Sequence, residues 1–363
     1  MNHTRYSKRR TIRFITWKTP LAWLQLTYKK SRFLMAALGI ASAILLMFVQ
    51  FGFLGALYES NTMFHRHLRG DLVMLHASTE TMVLSTSFSR RRLYQMLSFE
   101  EVEAVSPIYQ ETGNFKSLHD GRTRTILVVG INPQVQPFEF PELDRDINQI
   151  HLTDTFLFDR YSRPEYGPVA INFDAGKEIL AEVNGQRIKI GGVVNFTGTS
   201  FGVTGNLITS EFNFERLFEN RRNIEQISMG MIRLRPGVDP EAIAAQMQQH
   251  LPTDVKIITP DAFAQIEREY WQKTTAIGFV FQMGAAVGFL IGIYIIYQVL
   301  LTDISEHIPN YALLKAKGYQ ARYFWGVLIQ EALILSIASY IPGYLLAIAL
   351  YKLVHVGTLL PIF

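Results

Sequence analysis

The chain has 363 residues, 48% of them hydrophobic, with 35 Lys+Arg against 31 Asp+Glu and no cysteine. Its length exceeds one average domain, and its apolar and aromatic content excludes a disordered or collagen-like chain. The lack of cysteine excludes a disulfide framework, a thiolate metal site and a cysteine nucleophile together. The net charge of +4 is unevenly spread. Residues 1–32 hold nine basic side chains (Arg5, Lys8, Arg9, Arg10, Arg13, Lys18, Lys29, Lys30 and Arg32) and no acid, which leaves 26 basic against 31 acidic residues in the remainder. Such a block suits nucleic acid, an organelle address or an anionic membrane surface.

The neighbouring residues decide between these. Thr19-Pro20 reads as an N-cap with proline in the first turn. Leu21, Leu24 and Tyr28 recur at helical spacing beside Trp23, ahead of Lys29, Lys30 and Arg32. This predicts an interfacial helix feeding a span, or plain topological anchoring. Residues 33–57 then run without a charge and with a single amide, Gln50. At 1.5 Å per residue they cross a bilayer, and they are too long for a cleaved signal peptide. Residues 276–301, interrupted by Gln282 and Gln298, and 324–351, interrupted by Gln330 and Glu331, qualify as well. Basic residues stay inside, so the N-terminus is expected in the cytoplasm and residues 58–274 on the far side.

The expected organisation is therefore a basic cytoplasmic segment with an interfacial helix (1–32), span 1 (33–57), an extracytoplasmic domain (58–274) and span 2 (275–302). A cytoplasmic coupling loop (303–323), span 3 (324–351) and an outer-side tail (352–363) complete it. The large domain reads as α+β. Strands are predicted over 112–118 and 123–131, flanking a His119-Asp120-Gly121-Arg122 turn, and over 168–173, 187–194, 206–209, 227–234 and 255–258. Helices are predicted over 98–105, 174–183 and 239–251. Residues 133–168, with five prolines, read as an irregular excursion. A helix starting at Thr259-Pro260-Asp261 runs on from Ala262 without Gly or Pro to Thr275 and merges into span 2, which predicts one stiff helix of about 40 residues, roughly 60 Å long.

Catalytic and metal motifs are weak. No GxxxxGK[ST] occurs, so the chain does not hold ATP in the P-loop manner. His65-x-His67 lacks a third nearby ligand. Gly198-Thr199-Ser200-Phe201-Gly202 matches GxSxG, but no helix follows as a nucleophile elbow requires, so a glycine-rich loop is the better reading. Asn195-Phe196-Thr197 fits a glycosylation acceptor, too common to weigh. Gly284, Gly288 and Gly292 form two GxxxG steps that suit close helix packing, within the chain or between two copies. Glu331, with Gln330, is an intramembrane polar site, either a proton site or a structural bond to the N-terminal helix or cytoplasmic loop. Asp303-Ile304-Ser305-Glu306-His307-Ile308-Pro309 leads into a short helix, 310–317, ended by Gly318. That helix reads as a knob for a cytoplasmic partner or as a bare connector.

Several segments together resemble the DevC-type permeases of cyanobacterial ABC exporters, within the wider MacB/FtsX-like group. They are Thr275-Ala-Ile-Gly278-Phe, Tyr297-Gln298 through Asp303, Tyr311-Ala-Leu-Leu-Lys315-Ala-Lys-Gly318-Tyr319, Gln330-Glu331-Ala332 through Pro342-Gly343, Pro20 through Leu26, and 198–210. The resemblance implies a four-span permease, with the fourth span of the family missing after Phe363, and a MacB-like periplasmic domain in a homodimer. It implies no enzyme activity and no cofactor of its own, since ATP hydrolysis falls to a separate ABC ATPase subunit. That subunit is expected to meet Ser305, Glu306, Tyr311, Leu314, Lys315, Lys317 and Gly318. An HlyD-like membrane-fusion adaptor and, through it, an outer-membrane TolC-like channel are the further partners implied. Glycolipid export by mechanotransmission from the inner membrane is the activity implied. Regulation of a cell-wall hydrolase, as in FtsX, is the alternative. The family carries an acidic residue where this sequence has Asn310.

Overall fold

The computed structural model describes residues 21–362 apart from 119, 197–199, 201, 220 and 222. The basic side chains from Arg5 to Lys18, the Thr19-Pro20 cap, His119, Thr197, Gly198, Thr199 and Phe201 therefore lie outside the described residues. The chain opens with α1 (Leu21–Tyr28) and α2 (Lys30–Arg66). The middle of the chain comprises β1 (Leu72–His76), β2 (Phe88–Ser89), α3 (Arg90–Tyr94), β3 (Val102–Lys116), β4 (Thr123–Ile131) and α4 (Pro141–Asp146). It continues with β5 (Thr155–Asp159), α5 (Val169–Asp174), β6 (Ile179–Val183), β7 (Gln186–Val194), β8 (Asn206–Ser210) and α6 (Glu211–Phe218). Then come β9 (Gln226–Ile227), β10 (Met229–Leu234), α7 (Pro240–His250), β11 (Val255–Ile258), α8 (Pro260–Glu269), α9 (Ala276–Ala316) and α10 (Ala321–Thr358). Among the described residues α2, α9 and α10 are long and apolar enough to cross a membrane. A mixed α/β extracytoplasmic domain lies in the chain between the first two spans.

Contacts group the described residues into two units: one reaches to Phe48 and adds Gly284–Ala347, the other takes Val49–Met283 and Ile348 onward. In the second unit nine strands pair in the order β11-β1-β10-β3-β4-β8-β5-β7-β6, and β6 pairs back onto β3. Six strands, β3-β4-β8-β5-β7-β6, thus form a closed ring, which removes the sheet edge at β6. One apolar cluster gathers Leu72, Tyr109, Phe115, Phe158 and Tyr166. A second gathers Val73, Ile108, Phe138, Phe140 and Phe196 with Phe64 from α2 and Phe263 from α8. Neighbours Leu72 and Val73 thus join different clusters, as side chains alternating across a strand must. At the edge strand β11 the side chain of Gln248 occupies the free ladder positions. Its Nε2 donates to Val255 O (3.0 Å), and Ile257 N donates to its Oε1 (2.9 Å).

Five local expectations fail for identifiable reasons. Residues 98–105 are not a helix: a 3-10 turn, Gln95–Ser98, precedes the long strand β3. The helix-like spacing of Val102 and Val105 comes from a register shift against β10, where Arg233 pairs Ala104 but Leu234 pairs Val102. Residues 168–173 hold the helix α5, and residues 179–183 of the expected helix form β6. The signal for β6 is Asn184-Gly185, both at positive φ (51° and 79°), a two-residue hairpin turn into β7. The excursion 133–168 contains α4 and the fully buried strand β5.

The fifth concerns the stiff helix. The helix begun at Thr259, whose side chain caps Ala262 N (3.2 Å), stops at Glu269. A π turn comes next, Tyr270–Thr274, closed by Thr275 N on Tyr270 O (3.2 Å), and Thr275 is extended (φ −91°, ψ 144°). The long helix lies on the other side of this break: α9 runs 41 residues through Pro309 to Ala316, about 60 Å at 1.5 Å per residue.

Candidate functional site

The C-terminal part of α9 carries most of the residues expected to meet a partner. Helix geometry continues through Asp303–Pro309, where a loop is predicted, and Pro309 merely removes one amide donor toward Ser305 O. The end is a Schellman cap: Gly318 N donates to Lys315 O (3.0 Å), Tyr319 N to Leu314 O (3.2 Å), and Gly318 adopts φ +92°. Only a short link separates this cap from Ala321, where α10 begins.

Being helical, these residues sort into stripes. Asp303, His307, Tyr311 and Leu314 lie on one stripe and are buried or half-buried. Ser305, Ile308, Ala312 and Lys315 lie on another, all exposed, with Leu313, Lys317 and Gly318 also exposed beyond them. The expected partner residues are therefore divided. Ser305, Lys315, Lys317 and Gly318 are free surface, whereas Glu306, Tyr311 and Leu314 line an open groove of about 860 Å³ against α1 and the start of α2. Sequence reasoning missed Ile308 (57% exposed) and Leu313 (59%). Helical continuation of the 297–303 register past Asp303 is the signal that would have found them.

Charged pairs hold the groove. Glu306 Oε2 accepts from Lys29 Nζ (2.9 Å) and pairs with Arg32 Nη1 (2.9 Å), while Arg32 Nη2 stands 4.0 Å from Asp303 Oδ1. Ion pairs open to solvent contribute little to stability, so these orient the helices rather than hold the fold. Gln25 Nε2 donates to Tyr311 Oη (3.3 Å), and the Tyr311 ring packs edge-on against Phe324 (5.4 Å). On α1 the buried residues are Ala22 and Leu26, while Trp23, Leu24 and Tyr28 are exposed. Of the apolar set named by spacing, Leu21 is half-buried, and Leu21, Leu24 and Tyr28 line the groove. Glu331 is fully buried beside Asp303, and no hydrogen-bond donor among the described residues reaches either of its oxygens. The charged groups that face it are the Asp303 carboxylate of α9 and the Arg32 guanidinium.

Gly288 and Gly292 pack within the chain. A Cβ at Gly288 would stand 2.9 Å from Met47, and one at Gly292 3.7 Å from Ala43. Gly284 is half-buried. Ser200 is buried in a loop, donating its amide to Val203 O (2.6 Å) while its hydroxyl accepts from Gly202 N (3.1 Å) and Val203 N (2.9 Å). That makes it a turn residue, not an activated nucleophile. The Asn195 amide donates to Glu142 (2.7 Å). His65 is buried against Phe263 (4.4 Å between ring centroids), and His67 packs against Phe140 (5.5 Å). Among the described residues no cluster of His and acids can hold a metal.

Three membrane-crossing helices, a large mixed domain inserted between the first two, and a helical cap between the last two define a polytopic membrane protein of permease architecture. A MacB-like periplasmic core domain matches residues 33–250, and an FtsX-like permease C-terminal region matches residues 283–363. The chain belongs to the MacB/FtsX-like family of ABC-type permeases. Among solved structures it is similar to the periplasmic region of MacB from Actinobacillus actinomycetemcomitans (13% identity, 55% of this chain and 92% of that one, TM-score 0.36). It is similar also to the extracellular domain of the ABC-type transporter YknZ from Gram-positive bacteria (10%, 52% and 100%, 0.33). A domain of a permease protein from Porphyromonas gingivalis matches at 16% identity over 53% of this chain and 89% of that one, TM-score 0.32. Among curated proteins none matches the chain closely enough to count as a relative.

Proposed function

We propose that the chain is the permease subunit of an ABC-type exporter of the DevC type, residing in a bacterial inner membrane with its N-terminus in the cytoplasm. The family membership supports a permease. The observation that carries the coupling role is the exposed stripe Ser305–Ile308–Ala312–Lys315 at the capped end of α9. A separate ABC ATPase docks on that stripe together with Leu313, Lys317 and Gly318. Glu306, Tyr311 and Leu314, held by Lys29, Arg32 and Gln25, set the angle at which it is presented. No covalent step falls to this chain. ATP-driven closure moves the helices and so the extracytoplasmic domain, which works with an HlyD-like adaptor and a TolC-like channel to move a glycolipid. Two copies form the unit, with the apolar faces of the spans left for lipid and for the second copy.

Co-purification of an ABC ATPase with the full chain from membranes tests this. Ile308→Asp with Lys315→Glu is expected to abolish the association, and Tyr311→Phe to weaken it less than tenfold, about 1.4 kcal/mol. Retained association in the double variant excludes the stripe. The FtsX-like character of residues 283–363 supports a second reading, regulation of a cell-wall hydrolase without transport. A hydrolase that co-purifies in place of an adaptor favours it.

A further inference from the structure

Four segments of the second unit converge on one carboxylate. Glu267, at the C-terminal end of α8, is 1% exposed. Its Oε1 accepts from Thr81 Oγ1 (2.7 Å) and Trp271 Nε1 (2.9 Å), and its Oε2 accepts from Met82 N (2.7 Å). Trp271 belongs to the π turn, and Thr81 and Met82 to the β1–β2 loop, residues 77–87. Gly202 closes the third side: a Cβ there would stand 2.7 Å from Val83 and 3.3 Å from Trp271. Ser60 and Asn61 of α2 line the same small space. On the far side of the turn, a Cβ at Gly278 would stand 2.8 Å from Trp271 O.

The bonds are unlike ordinary loop contacts. Three donors from two segments meet one buried carboxyl group, and a π turn is a recognised site of functional adjustment in helices. The start of the β1–β2 loop is fixed by other means: Ala77 N donates to Asp254 O (2.9 Å) and Lys256 Nζ to Thr79 O (2.6 Å). Its middle is held by Glu267. Beyond that hold Leu84 projects, 67% exposed.

We propose that Glu267 is a positioning residue of the coupling path: it clasps residues 81–83 to the π turn ahead of span 2, so displacement of that turn is delivered to the β1–β2 loop. This rests on the mechanotransmission reading of the permease. The loop, with Leu84 at its tip, is then an output element of the domain. Gly202 is the wall the clasp closes against.

Hydrogen exchange of residues 79–87, with and without vanadate-trapped ATP, tests the clasp in the full chain with its co-purified ATPase in lipid nanodiscs. The natural sequence is expected to show a nucleotide-dependent change of about threefold or more at these amides, which report local opening. Thr81→Val, which keeps the shape but removes a donor, and Glu267→Gln, which turns an N–H toward Met82 N, are expected to remove most of that change. ATPase co-purification and turnover should stay within about twofold. Thr81→Ser restores the donor and is expected to keep the change. Should Glu267→Gln fail to fold, the Thr81→Val and Thr81→Ser pair decides. A full nucleotide-dependent change in Thr81→Val, or its equal loss in Thr81→Ser, overturns the clasp. Absence of any nucleotide effect in the domain of the natural sequence instead overturns the mechanotransmission reading, and the clasp falls with it.

Discussion

Ser200 shows how a side chain can match a motif and serve the backbone instead. Its hydroxyl is saturated by two amide donors of its own turn. Ser200→Ala should therefore cost about 0.5–1.5 kcal/mol of stability, read by thermal unfolding of the full chain in detergent, with ATPase association unchanged. Glu267 behaves oppositely, because burial pushes its carboxyl up more than its three donors pull it down. A carboxyl raised in the folded state contributes stability fully present below the unfolded value of about 4.3, and lost as pH rises through the folded value. The unfolding temperature is thus expected to fall as pH rises above about 4.3. Glu267→Gln should lack that slope while losing about 1–3 kcal/mol at every pH for the donor left facing a donor. A slope unchanged in Glu267→Gln would assign it to another group.

Among elements, the break at Tyr270–Thr275 matters most. Between Asp261 and Ile277 no Gly or Pro punctuates the helix. At the break, Glu267 accepts from the Trp271 indole four residues on and also from Thr81 and Met82 of the distant β1–β2 loop, and the chain leaves the turn past Gly278 with no room for a methyl group. Gly278→Ala is expected to destabilise by about 1–3 kcal/mol through overpacking against a backbone carbonyl; an unfolding temperature equal to that of the natural chain would refute the close approach. Strand and span assignments were legible where the physics is local. The hairpin around Asp120-Gly121 comes from its turn residues. Gly121 takes φ +67°, and the Arg122 amide, then Arg124, hold the Asp120 carboxyl down to about 2. What was not legible depends on partners distant in sequence. The bulge in β3 mimics helical spacing only because β10 shifts register there. The division of the α9 stripe depends on where α1 and α10 lie, which the spacing of Tyr311 and Leu314 alone does not reveal.

For the whole molecule, the charge asymmetry of the opening residues becomes a statement about sidedness. In the proposed orientation, with the basic first segment inside and the large domain outside, each of α2, α9 and α10 crosses once. The sequence has no cysteine, so introduced thiols report without background. Ser7→Cys and Leu84→Cys in intact cells should react with a membrane-impermeant maleimide only at position 84. Labelling at position 7 with silence at 84 would invert the topology. The same property permits the most direct test of the central claim, that a nucleotide event on one side of the membrane moves the domain on the other. A spin label at Leu84→Cys in the proposed ATPase-bound dimer places one probe per copy on the β1–β2 loop. The distance distribution between the two labels is expected to shift when ATP is trapped with vanadate and to return after ADP exchange. A distribution identical in both states, with the ATPase still bound, would contradict it.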